Sequence, residues 1–183
     1  MQNRKLKNSE LKRKNVMQMK KAQKTPLILI LDNIRSLNNI GSVFRTADAF
    51  LIDTIYLCGI TATPPHKDIQ KTALGSTDSV SWKYAEDAIS LVKRLVEEGT
   101  EVWAIEQTEN ATYLQDYVPH ANRKTAFILG NEIKGVQQAI IDIVGNVIEI
   151  PQEGTKHSLN IAVTTGVVCW DFYQKLLSKN LRQ

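Results

Sequence analysis

Long hydrophobic runs are missing from this chain. No segment approaches the roughly 18–20 consecutive apolar residues that cross a bilayer, and no apolar stretch of signal-peptide type follows the basic N-terminus; a cytoplasmic protein with no membrane partner is expected. Cysteine is scarce. Cys58 and Cys169 lie far apart in apolar surroundings with no CxxC, and read as buried, reduced thiols. His66, His120 and His157 have no metal-ligand spacing, so no metal site is expected. Neither GxGxxG after the first strand nor GxxxxGKS/T occurs, which removes the usual dinucleotide and P-loop signals.

What is present fits a single domain with a short appendage. The 183 residues are 43% hydrophobic, enough for a sizeable core. The net charge of +4 is unevenly spread. Residues 1–24 hold nine Lys or Arg and one Glu, leaving 14 basic and 18 acidic residues beyond Lys24. A basic arm of this kind attracts a polyanion through counterion release; a solvated tail without a partner is the plainer reading. Leu6, Leu11, Val16, Met17 and Met19 form no clean apolar face, which disfavours a membrane surface. Whether the arm is helical stays open at this point.

Beyond Pro26 strand-like and helix-like blocks alternate. Pro26–Leu31 is a continuous apolar run suited to a parallel strand covered on both faces. Asn39–Phe50 has helical spacing at Ile40, Val43, Phe44 and Ala47, with Asn38 or Asn39 as its cap. Strand Thr54–Leu57, a short helix at Asp68–Leu74, helix Asp87–Glu98, strands Val102–Ile105 and Thr125–Leu129, helix Val136–Ile141, strand Val147–Ile150 and a terminal helix Ile161–Leu177 complete the pattern. The alternation implies an α/β domain with a mostly parallel sheet flanked by helices. Trp82, Trp103 and Trp170 read as core or dimer residues.

Three polar, glycine-bearing segments follow strands: Asn38–Ser42, Gly130–Gly135 and Pro151–Asn160. Ligands of open α/β sheets sit beyond the carboxyl ends of strands, so these segments nominate one composite site. In order and spacing, Asn39–Phe50, Ile128–Gly135 and Ile150–Asn160 resemble the three motifs of the SpoU (TrmH-like) RNA 2'-O-ribose methyltransferases of the SPOUT superfamily. The resemblance covers roughly Pro26 to Leu177. Leu51 stands where the first motif usually has glycine, Asn131 where the second often has serine, and Gln152 where the third often has methionine.

The resemblance implies the SPOUT fold with a deep C-terminal trefoil knot, a domain over residues 25–183 behind the arm at 1–24, and S-adenosyl-L-methionine as cofactor. It also implies a homodimer with its active site at the subunit interface, acting on a ribose 2'-hydroxyl of tRNA or rRNA. The alternative is a catalytically silent RNA-binding protein that keeps the fold. Arg45, Asn39, Glu132, Ser158 and Asn160 match the motif positions assigned to catalysis, and Ile105, Glu106, Gly130, Ile150, Ser158 and Leu159 those assigned to the cofactor. Arg45 is either a proton acceptor or an electrostatic stabiliser; a guanidinium with a pKa above about 12 favours the second. Asn39 and Ser158 also suit helix caps, Glu132 suits an acid at a helix start, and Gly130 suits an ordinary turn. Arg4, Lys5, Lys12, Arg13, Lys14, Arg35, Lys67 and Lys71 are candidates for RNA phosphates, with His66 beside them.

Overall fold

A computed structural model describes residues 3–120 and 122–180. The first two residues of the basic arm and the last three of the chain lie outside the described residues. Seven strands, β1 (Thr25–Asp32), β2 (Ile52–Cys58), β3 (Trp82–Ala85), β4 (Glu101–Ile105), β5 (Thr112–Tyr113), β6 (Thr125–Leu129) and β7 (Val147–Glu149), form one sheet in the order β3-β2-β1-β6-β4-β7-β5. Every pairing is parallel, as the unbroken apolar runs require.

β1 shows why. Leu27, Leu29 and Leu31 enter the core on one face of the sheet, while Ile28 and Ile30 enter the core on the other. Full burial of each such side chain is worth about 1.5–3 kcal/mol. Helix α2 (Leu37–Ala49) covers the first face through Ile40, Val43, Phe44 and Ala47, together with α7 (Ile161–Asn180). Helices α5 (Ala88–Glu97) and α6 (Gln138–Val144) cover the second. Asp87 caps α5, and Gly99 turns the chain out of it at φ 83°. Cys58 and Cys169 are both buried and free.

Several boundaries differ from the sequence reading. Ser36, not Asn38 or Asn39, caps α2, its hydroxyl accepting from the Asn39 N–H at 3.3 Å. Helix α6 begins at Gln138 rather than Val136, because the Gln137 backbone is extended, at φ -60° and ψ 134°; the Val136 N–H before it donates to the Glu106 carboxylate at 2.9 Å. The segment after Thr61 holds α3 (Lys67–Ala73), α4 (Ser76–Ser79) and the edge strand β3.

The arm has structure of its own. A 3-10 turn at Asn8–Leu11 precedes α1 (Val16–Lys21), which Asn15 caps. Helix α1 buries Met19 and packs against α4, and the Lys24 Nζ donates to the Met19 carbonyl at 2.9 Å.

Candidate active site

The carboxyl ends of β1, β6, β4 and β7 open on one side of the sheet, and the three glycine-bearing segments meet there. Glu132, in the loop after β6, accepts from the backbone N–H groups of Arg35 and Ser36, each at 3.1 Å, and from the Asn39 Nδ2 at 3.4 Å. It therefore sits at the start of α2, where the helix dipole favours an anion, and not at the start of α6. Partial burial disfavours its charge, but donation by Arg35, Ser36 and Asn39 outweighs that and holds the carboxyl below its usual range.

Asn39 is held on both sides of its amide. While its Nδ2 faces Glu132, its Oδ1 accepts from the Asn160 Nδ2 at 3.1 Å. Asn160 in turn accepts from the Ala162 N–H at 2.8 Å, so Asn160 rather than Ser158 caps α7. One hydrogen-bonded line thus runs from the second segment through the first to the third.

Glu106, just after β4, fixes the floor. Its two oxygens accept from the Gln107 and Val136 N–H groups, each at 2.9 Å. Gly135 lies at φ 66°, and a Cβ there would strike the Glu106 carboxylate. A Cβ on Gly130 would strike the backbone of Gly135 and Val136. Glycine at 130 is thus required by this close approach of backbone, beyond any ordinary turn.

Above this floor lies a cleft of about 640 Å³. Ile105, Glu106, Gly130, Ile150, Ser158 and Leu159 all line it, with Glu132, Asn160, Gln152 and His157. Arg45 does not. It is exposed on α2 and, like Asn39, absent from the cleft wall; Asn39 is joined to that wall through Glu132 and Asn160.

The basic candidates are all exposed and scattered. Arg4 pairs with Glu10 at 2.7 Å and Lys71 with Asp68 at 2.6 Å, whereas the Arg35 main chain serves Glu132. Lys5, Lys12, Arg13 and Lys14 lie on the arm, and Lys67 opens α3, whose cap is His66.

Four polar residues that support the site carry little weight in the sequence. Buried Asp32 accepts from the Gln137 Nε2 at 2.9 Å and the Asn33 Nδ2 at 2.8 Å. Burial raises its pKa, the Asp87 charge adds to the rise, and the two amides oppose it. Asn131 donates to the Asn33 carbonyl at 2.7 Å and accepts from the Ile133 and Lys134 N–H groups. A lone aspartate ending an apolar strand is the one visible sign of this network.

The model of the SpoU rRNA methylase family matches residues 26–170. The chain is 28% identical over 170 residues to a tRNA (guanosine(18)-2'-O)-methyltransferase of Aquifex aeolicus, covering 89% of this chain and 75% of that protein. It is 25% identical over 154 residues to a 23S rRNA (guanosine-2'-O-)-methyltransferase of Vibrio parahaemolyticus, covering 84% of this chain and 61% of that one. The chain therefore spans about three-fifths of that rRNA-directed relative. Its fold is that of an AdoMet-bound rRNA methyltransferase from Sinorhizobium meliloti, with a TM-score of 0.76 and 24% identity over 86% of this chain and 60% of that one.

Proposed function

The chain belongs to the SpoU rRNA methylase family, and on that premise we propose that it transfers the methyl group of S-adenosylmethionine to a ribose 2'-hydroxyl of tRNA or rRNA. The observation that carries this reading is one cleft lined by the second and third motif loops and tied to the first through the Asn39 amide, which is held between Glu132 and Asn160. Enzyme relatives named for guanosine 2'-O-methylation of tRNA and of rRNA support the substrate class.

The cleft fits the cofactor. Its volume lies within the range of about 300–1,000 Å³ usual for small-molecule sites. Ile105, Leu129, Ile150 and Leu159 give apolar contact suited to a purine, and Glu106 and exposed backbone groups of the loops suit ribose hydroxyls. When bound, the cofactor supplies an electrophilic methyl on a sulfonium whose charge is lost on transfer. The chain's own residues do the rest. Asn39, fixed in orientation, positions the substrate ribose, and Ser158 borders the reacting region. The Arg45 guanidinium grips a neighbouring phosphate and stabilises the developing alkoxide as the hydroxyl proton passes to water. Holding the reacting atoms about 3–3.5 Å apart supplies about 7–11 kcal/mol of the barrier reduction.

Because Arg45 lies outside its own cleft, the reading includes a homodimer in which a second copy supplies it. An exposed apolar face of α7, Val163, Val167 and Trp170, supports such pairing. The C-terminal knot belongs to the same reading, supported by β7 lying between β4 and β5, two strands that follow directly in the chain. The arm gives RNA affinity, and the protein works in the cytoplasm; among the described residues no helix is long and apolar enough to cross a membrane.

The test is incubation with methyl-labelled S-adenosylmethionine and RNA from a strain lacking the gene. Label recovered as a 2'-O-methylnucleoside, and lost with Arg45→Ala, is the expected result. Absence of cofactor binding by calorimetry would sink the reading.

A further inference from the structure

A second recess opens at the opposite end of the sheet, where the arm meets the domain. Its walls are Lys20 of α1, Thr77 and Asp78 of α4, Val80 and Ser81 after it, and Trp82 at the start of β3. Thr77 is only 7% exposed, yet its hydroxyl has no hydrogen-bond partner among the described residues. Thr77 lines the recess, and a buried, unpaired hydroxyl is costly unless something else bonds to it. Trp82 is half-buried: it packs partly against the core and also lines the recess.

These groups narrow the ligand. The Trp82 indole offers a stacking face, which is sequence-tolerant because every base has one. Asp78 accepts from base N–H or exocyclic amino groups, and Thr77 and Ser81 bond to base edges as donors or acceptors. Lys20 neutralises a phosphate. A free phosphate alone would meet the Asp78 carboxylate, and an apolar side chain would leave Thr77 unpaired. A nucleotide uses all of these groups at once.

We propose that this recess holds one unstacked nucleotide of the RNA substrate, distinct from the nucleotide that is methylated. The substrate class rests on the RNA-methylation reading. The recess joins the cleft through α2, whose first turn carries Asn39 and whose last turn carries Asp48, the acceptor of a hydrogen bond from Ser79 of α4. With 13 residues, α2 separates the two sites by about 20 Å. The arm then has two roles, as a source of positive charge and as one wall of a nucleotide subsite.

The test is binding of a labelled ten-nucleotide single-stranded RNA to the full chain by fluorescence anisotropy. Trp82→Ala is expected to weaken binding about tenfold, with Trp82→Phe recovering most of the loss. Lys20→Ala is expected to weaken binding and lower the salt slope by about 0.7. RNA should quench tryptophan emission less in Trp82→Phe than in the unaltered chain, a signal that a merely structural tryptophan would not give. Should Trp82→Ala fail to fold by thermal melting, Lys20→Ala and the quenching difference decide. Unchanged affinity in Lys20→Ala together with equal quenching would overturn the proposal. A chain that binds RNA through Trp82 but takes no S-adenosylmethionine would sink methyl transfer and leave the recess standing. A chain that methylates RNA with its affinity indifferent to Trp82 and Lys20 would do the reverse.

Discussion

Glu132 accepts the Ser36 N–H at 3.1 Å, so an acid from the loop after β6 anchors the start of the helix that carries Asn39. Its lowered pKa means the bond stabilises the fold above the unfolded-state pKa and is lost as pH falls through the lower folded value. Glu132→Gln should therefore melt below the unaltered chain at pH 7, by up to about 1 kcal/mol, and the gap should close toward pH 3. Melting curves between pH 3 and 7 check this; a gap constant with pH contradicts it.

Leu51 has φ 55°, a left-handed conformation that costs a branched side chain about 1–2 kcal/mol. Leu51→Gly and Leu51→Ala remove nearly the same side chain, but only glycine relieves that backbone. Denaturant unfolding should find the glycine variant more stable than the alanine variant by about 1 kcal/mol. Equal stabilities would show that the backbone there is not strained.

Gly130→Ala places a methyl against the backbone of Gly135 and Val136. Overpacking of this kind costs about 1–3 kcal/mol, and it displaces the cleft floor. Loss of S-adenosylmethionine binding in calorimetry, with the chain still folded, is the expected outcome.

Arg45→Ala should leave the melting temperature unchanged, because the side chain is exposed, and should lower methyl transfer about a hundredfold or more. Asn39→Ala should be similarly inactive. If a second copy supplies Arg45, co-refolded mixtures of the two variants regain one intact site per mixed dimer. Activity assays of such mixtures should recover a fraction of the normal rate; mixtures as inactive as either parent would place both residues in one chain's site.

Much of the sheet was readable because β1 and β6 are buried on both faces and so are apolar throughout. The three site segments were readable because each follows such a strand. Strand β3 was hidden, since it is a four-residue edge strand with two exposed members, and β5 because it has two residues. The cap of α2 lies two or three residues before Asn38 or Asn39 because serine and asparagine are both good caps, and only the folded chain shows Asn39 engaged by Glu132 and Asn160. The Asp32–Gln137 bond spans 105 positions, and no local pattern announces a pairing of that kind. Arg45 could be named from its motif, but its separation from the cleft appears only in three dimensions.

The bond between Asn39 and Asn160 joins residues 121 positions apart. During synthesis the first of them emerges long before the second, and its amide is held on one side only, by Glu132, until Asn160 arrives. A partly made chain can therefore hold most of the sheet and still lack the completed contact at Asn39. Completion of the site becomes a report that the final helix has docked, a delay set by the order in which the chain is made.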